Sequence, residues 1–325
     1  MKERILELLN RAAGEYLSGQ AISEALGVSR AAVWKAVQAL ENEGIAIEAV
    51  TRRGYRLAEK TDRLSPGNLL PYLSRDHRES LLCFPTISST NDYAKTLAVP
   101  DKSQNYYLAA EEQTGGRGRR GRSFYSPAGQ GLYLTGLYFP EVPPARASRF
   151  TAYGAVAVCR AMQEVCGLTA EIKWPNDILW QGKKLCGILT EMALEGESGA
   201  IQYMICGMGI NLSQQPEDFP EAFRDLAASL HMATGQTPPR NLLCAALINA
   251  LDEAYEAFLK EDPLWLQEYI CHCATLNREV ILLSGQEKIP AFAEGISEDF
   301  GLMVRYADGR RETVYAGEIS LERRG

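Results

Sequence analysis

Four arginines and three glycines fill the run Gly116-Arg117-Gly118-Arg119-Arg120-Gly121-Arg122, and the residues just beyond it limit the folds this chain can adopt. Gly116-x-Gly118-x-x-Gly121 has the spacing of a dinucleotide fingerprint, and Gly116 to Ser123 has that of a Walker A loop with arginine in place of lysine. Either fold needs a helix to begin at the loop, so that its free N–H groups hold a phosphate. Here Phe124 to Gly131 carries the breakers Pro127, Gly129 and Gly131, and Leu132 to Phe139 then reads as a strand. Both phosphate-helix folds are therefore set aside. The net charge is -7, so the run is a local concentration of cations in an acidic protein. Side by side these charges repel one another, and glycines between them let a ligand approach the backbone. A polyanionic ligand is expected. An ordinary charge run would be a solvated face.

At 325 residues the chain has length for two or three domains. Its 46 % hydrophobic and 23 % charged residues are those of a soluble globular protein. No apolar run reaches the ~18 residues of a membrane span, and Met1-Lys2-Glu3-Arg4 is unlike a signal peptide. A cytoplasmic protein with no membrane contact is expected. The eight scattered cysteines, without a Cys-x-x-Cys, read as reduced core residues. Cys271-His272-Cys273 is too tight to wrap one tetrahedral ion, so no protein metal site is predicted. Only His77, His231 and His272 are present, which argues against histidine catalysis.

The first 60 residues read as three helices and a hairpin. Ile5, Leu6, Leu8, Leu9, Ala12 and Ala13 stripe a first helix ending at Gly14; Ala21 to Leu26 is a second; Ser29 caps a third, Arg30 to Asn42. Strands at Ile45 to Val50 and Gly54 to Leu57, joined through Thr51-Arg52-Arg53, complete a winged helix-turn-helix. The third helix is expected in a DNA major groove, with Ser29, Arg30 and Lys35 facing the duplex and Arg52 and Arg53 on phosphates. A protein-docking module has the same outline. This segment holds 9 basic and 8 acidic residues, net +1, against 25 and 33, net -8, in the remainder, which favours DNA. A dimer reading two half-sites is the expected form.

From Leu64 to Thr275 strand and helix signals alternate, predicting one large mixed sheet. Leu81 to Phe84 reads as a buried strand, Tyr106 to Ala110 as the strand feeding the arginine run, and Ala147 to Cys166 as a long helix. Asp177 to Trp180 and Lys184 to Leu189 flank a turn at Gly182, and Ile201 to Gly207 is another strand. After helices near Asn241 to Lys260 and Pro263 to Ile270, four short strands (Glu279 to Leu283, Ile289 to Ala293, Leu302 to Tyr306, Glu312 to Tyr315) predict a small barrel. Ser88-Ser89-Thr90-Asn91, where a strand becomes a helix, offers groups for an uncharged hydrogen-bonding ligand; an ordinary helix cap uses the same residues. Lys173-Trp174-Pro175-Asn176-Asp177 and Lys184 set two ammonium groups, an amide and a carboxylate around one hairpin, an arrangement suited to charge developing at phosphorus.

On these motifs, with Gln113, Gly187, Gly209-Ile210-Asn211 and Gly317 to Leu321, the chain resembles the bifunctional biotin-protein ligase and biotin-operon repressor family over nearly its whole length. The resemblance implies an α+β multidomain protein: a winged helix-turn-helix over 1–62, a mixed-sheet ligase domain over 66–274 and an SH3-like barrel over 275–325. It implies that biotin and MgATP form biotinyl-adenylate and pyrophosphate, after which a lysine of a biotin carboxyl carrier protein takes the biotinyl group. Arg119, Lys184 and Asp177 are then the catalytic candidates. Ser89, Thr90, Asn91, Gln113, Arg117, Gly118, Arg119 and Lys184 would hold biotin. Arg117, Arg119, Phe124, Lys173, Asn176, Lys184 and Asn211 would hold ATP or adenylate. Phe124 stands where the family usually has tryptophan, giving adenine a smaller face. The same resemblance implies a homodimer promoted by the adenylate and bound to operator DNA. The rivals are a lipoate-protein ligase and a ligand-sensing repressor without turnover.

Overall fold

The structure, a computed structural model, describes residues 1–58, 62–98, 104–284 and 287–321, so residues 59–61 of the predicted first domain and 322–325 of the predicted barrel lie outside the described residues. Three units succeed one another along the chain. In the first, α1 (Lys2–Arg11), α2 (Gly19–Leu26) and α3 (Arg30–Asn42) enclose Ile5, Leu6, Leu9, Ile22, Val33, Val37 and Leu40. Ser18 and Ser29 cap α2 and α3, each accepting from a backbone N–H three residues on, and Gly27 ends α2 in the left-handed region that glycine tolerates. The antiparallel wing is β1 (Ile47–Val50) and β2 (Gly54–Leu57). Tyr16 braces it: its hydroxyl meets Glu48, which also accepts from Arg56, and Arg53 lies 4.2 Å over its ring.

This unit seats on the next through α4 (Pro66–Leu69). Asn10 donates to the Gly67 carbonyl at 3.2 Å and to Asn68 Oδ1 at 2.9 Å, and buried Glu7 takes Arg78 in a two-pronged pair at 2.9 and 3.1 Å. Two contacts then fasten the start of the central domain. The Leu64 N–H donates to Glu111 Oε1 at 2.8 Å, and Asp62 sits beside Arg240, which also donates to the Gly129 carbonyl.

The central sheet is built from β3 (Leu81–Phe84), β4 (Tyr106–Ala110), β5 (Gly131–Tyr138), β6 (Glu171–Lys173), β7 (Asp177–Trp180), β8 (Lys183–Leu194) and β9 (Ile201–Asn211). Their order is β3-β4-β5-β9-β8-β7-β6; β3 and β4 run parallel and the other pairs antiparallel. The strand expected to be buried, β3, is an edge strand in which only Leu81 is fully covered, because among the described residues nothing pairs beyond it. α5 (Thr90–Leu97) packs on β4, β5 and β9, leaving the rest of that face open. The long helix expected from Ala147 is broken into α6 (Pro144–Ala147) and α7 (Phe150–Cys166). With α9 (Arg240–Lys260), α7 covers the opposite face; α8 (Leu230–Thr234) and α10 (Pro263–His272) lie at its margins. The core here holds Tyr107, Tyr138, Phe150 and Phe258 in edge-on contacts.

The third unit is an antiparallel sheet of β10 (Arg278–Ser284), β11 (Glu287–Ile296), β12 (Leu302–Arg305), β13 (Arg311–Val314) and β14 (Glu318–Leu321), ordered β13-β12-β11-β10-β14. The fifth strand, β14, adds to the four expected. It pairs with β10 and brings Gly317 and Glu318 to the central domain. Buried Trp174 joins the two units, its indole N–H donating to the Phe300 carbonyl at 3.0 Å and its backbone N–H to Thr275 Oγ1 at 3.0 Å.

Candidate functional site

Five strands place one row of residues across the sheet. Lys173 pairs with Asp177, Asp177 with Gly187, Gly187 with Gly209 and Gly209 with Tyr133. Residues in register point to the same side of a sheet. Glycine at two adjacent places in the row, and again at Gly207, strips the sheet of side chains where a ligand would lie. The space has other tenants at its ends. A Cβ on Gly209 would come within 2.4 Å of the Phe124 ring, and one on Gly207 within 2.1 Å of Asn91 Oδ1. A cleft of about 1270 Å³ stands over this floor, and every predicted biotin and ATP residue lines it.

At one end is a neutral hydrogen-bonding cluster. Thr90 donates from N and Oγ1 to Gln113 Oε1 at 2.9 and 3.0 Å, and Thr135 Oγ1 lies 2.7 Å from Thr90 Oγ1 and 2.8 Å from Asn91 Oδ1. Ser89 caps α5, the ordinary-cap reading of this motif, and the helix start it fixes carries Thr90 and Asn91 into the cleft. Asn91 also donates to Glu191, which Lys95 pairs at 2.8 Å. Burial pushes the Glu191 carboxyl up, but bonds from Lys95 and Asn91 outweigh it and hold it below the usual range. Gly207→Ala should therefore push Asn91 off Thr135 and weaken ligand binding at this end. Calorimetry on the variant checks this, and an unchanged affinity would show that Asn91 has room to move.

The arginine run is a compact hairpin. Gly118 N donates to the Arg122 carbonyl at 2.7 Å and Phe124 N to that of Gly116 at 2.9 Å, around a single 3-10 turn at Arg119–Gly121. No α-helix begins there, as the breakers after it predict. The expected repulsion is relieved in part from within: Arg117 pairs with Asp92, Arg122 takes both oxygens of Glu318 at 2.6 and 3.0 Å, and Arg120 lies 3.7 Å from the same carboxylate. Arg119 differs. Its guanidinium donates to two neutral oxygens, Asn176 Oδ1 and the Gly317 carbonyl, each at 2.9 Å, with no carboxylate in ion-pair range among the described residues. Burial, then the neighbouring Arg120 charge, lowers its pKa. One guanidinium thus remains half-buried without an ion-pair partner among the described residues, with the Asp177 and Glu318 charges acting on it only from a distance.

Opposite it, Lys184 Nζ pairs with Asp177 Oδ1 at 2.6 Å, and Lys173, from the same row, has its ammonium disfavoured by burial. Asn176 is fixed from behind by a 2.7 Å bond to the Ile188 carbonyl. Asn211 reaches the cleft but spends its amide on the Ala228 and Lys184 carbonyls, at 3.0 and 3.3 Å, and so shapes the turn that carries Lys184. Among the described residues no three His, Cys, Asp or Glu side chains gather as metal ligands. Cys271 is exposed and His272 Nδ1 meets the Ala170 carbonyl at 2.8 Å, while burial raises the core thiols of Cys206 and Cys244 to about 12. Thr135, Asp92, Glu191 and Glu318 escaped the sequence reading. Only Glu318 had a signal, in the Gly317 to Leu321 motif.

On the DNA-binding candidates, Ser29 serves as the α3 cap, while Arg30 and Lys35 are exposed on α3 and Arg52 sits at the wing tip. Arg53 is partly engaged by Tyr16. No helix of the described residues is long and apolar enough to cross a membrane.

Comparison with known proteins agrees in all three units. Residues 2–56 match an HTH domain, 83–211 the Biotin/lipoate A/B protein ligase family, and 275–322 the Biotin protein ligase C terminal domain. The chain is 37 % identical to the Bifunctional ligase/repressor BirA of Bacillus subtilis over 99 % of its own length and 98 % of that protein's. It is 33 % identical to the protein of the same name from Escherichia coli, over 95 % and 94 %. The biotin protein ligase of Aquifex aeolicus, solved with biotin and ATP, superposes with a TM-score of 0.63 at 28 % identity, over 76 % of this chain and 100 % of that one. Three domains in one order and identity across the full length leave one assignment: the chain belongs to the bifunctional biotin ligase/repressor family.

Proposed function

We propose that the protein joins biotin to AMP at the expense of ATP, passes the biotinyl group to a lysine of a biotin carboxyl carrier domain, and represses transcription from operator DNA in response. Arg119, half-buried in the cleft with neutral hydrogen-bond partners and no ion pair among the described residues, carries the reading. Attack of a carboxylate on the α-phosphate concentrates negative charge on oxygen, and fixed cations in a dry cleft stabilise that charge more than water does. Arg119 and Lys184 supply them. The Thr90, Asn91 and Gln113 cluster suits the ureido ring, and Gly118 lets the loop backbone close over the chain. Magnesium arrives as part of the ATP, since such an ion takes one or two carboxylates and the substrate's own phosphates. Asp177 is the carboxylate in reach.

In transfer, the acceptor lysine attacks the acyl carbon, the C–O bond to the phosphate breaks, AMP leaves and the amine loses a proton. The amine must be neutral to attack, and Asp177 is suited to orienting it and taking that proton. Two winged helices bind better than one, so the repressor acts as a dimer. The outer edge of β8 from Thr190 to Leu194, beyond the reach of β7, bears exposed Met192 and Leu194 and is a surface fit for pairing. The setting is the cytoplasm, where acceptor and DNA are found together.

The test is pyrophosphate release from ATP. Release with biotin and none with lipoate is expected; release with lipoate alone moves the assignment to the other branch of the ligase family. A chain that binds biotin and operator but releases no pyrophosphate is a sensor without turnover.

A further inference from the structure

The DNA-reading helix carries a residue that charge-based reading passes over. On α3 the side chains at Val33, Ala36, Val37 and Leu40 are buried, and Ala31, Trp34, Lys35 and Gln38 are exposed. Those four lie at i, i+3, i+4 and i+7, one stripe along the helix. A solvated helix face is normally polar, yet half of this one is apolar, and Trp34 stands 55 % exposed in its middle. The stripe holds no carboxylate. Its amide, Gln38, is steadied by a 2.6 Å bond to Glu41 one turn on.

The setting identifies what covers the indole. Arg30 stands at the helix start beside Ala31, Lys35 next to Trp34, and Arg52 at the wing tip, so the apolar patch is bordered by cations and by the residues that enter a major groove first. In that groove the one apolar group on a base edge is the C5-methyl of thymine. We propose that Trp34 is a specificity-determining residue, which packs with Ala31 against thymine methyl groups in the operator half-site. Lysine and arginine neighbours hold the register on phosphates. The inference rests on the DNA-binding part of the proposed function and adds to it the base read and the residue that reads it.

Removing a methyl from that contact forfeits the burial of one carbon, ~0.8 kcal/mol, or about fourfold in affinity per thymine contacted. Duplexes are selected from a random pool by the full-length protein with biotin and ATP, then remade with deoxyuridine for deoxythymidine at each position in turn. The wild-type chain should lose about fourfold at one or two positions per half-site. Trp34→Ala should bind the thymine duplex more weakly and show no further loss with uridine, while keeping wild-type pyrophosphate release, which reports an intact fold. A wild-type chain that enriches no duplex sinks the DNA reading and this contact together. One that enriches duplexes, with Trp34→Ala losing as much on uridine substitution as the parent, sinks the contact alone. So does a Trp34→Ala chain whose only change is a different oligomeric state, which would place a second copy of the protein on the indole.

Discussion

Replacing Arg119 by alanine is expected to slow adenylate formation by roughly 10²–10³-fold, the usual cost of losing one prearranged group that stabilises developing charge. The loss should fall on kcat with ATP. Arg117, Arg120 and Arg122 do not substitute, because each already sits against a carboxylate. Arg119→Lys should recover only part of the rate: an ammonium keeps the charge but lacks the fork that spans Asn176 Oδ1 and the Gly317 carbonyl. Single-turnover formation of labelled biotinyl-adenylate separates this step from the later transfer. An alanine variant as fast as the parent would remove Arg119 from the chemistry and leave its exceptional environment to a structural cause.

Trp174→Ala should cost ~3–5 kcal/mol of stability, the range for emptying a large aromatic site in a core. Against a total of about 5–15 kcal/mol this is a large share. The side chain is wholly enclosed, and its N–H is the partner of the Phe300 carbonyl, so the change leaves a cavity and an unmet acceptor together. Trp174→Phe fills most of the space and forfeits the hydrogen bond, which predicts a smaller loss of about 1–2 kcal/mol. Denaturant unfolding followed by circular dichroism measures both. The two variants falling equally would mean that the bond, and not the volume, dominates.

Where the chain announces its structure, local physics is strong. α3 runs over the residues its cap and stripe predict, and β2, β3, β4 and β7 match as well, each a short run bounded by breakers or charges. β8 runs longer than expected because its far half, such as Thr190-Glu191-Met192, mixes polar and apolar residues on an edge that β7 does not reach, while β9 continues to Asn211 through pairing with β5 and β8 on its two sides. β6 and β14 are three and four residues long and exist through their pairing, with β7 and with β10. The site was legible where one motif holds its chemistry: the arginine run and the Lys173 to Asp177 turn. It was not legible where partners lie far apart. Arg117 meets Asp92 across 25 positions and Arg122 meets Glu318 across 196. Thr135 sits inside an otherwise apolar strand, and only α5 lying above it explains a buried hydroxyl there. Trp34 is invisible to a search for charge, since an apolar ring in a helix reads as core until burial shows otherwise.

The groups that steady the arginines come from opposite ends of synthesis. When a ribosome has added residue 300, the loop, its lysines and its floor all exist, but Gly317 and Glu318 do not. Until they emerge and β14 joins β10, Arg119 lacks one of its two supports and Arg120 and Arg122 lack their counter-charge. Arg119 and Arg122 thus gain their last partners only when the C-terminal sheet has formed, so the loop takes its full set of contacts after both domains are in place.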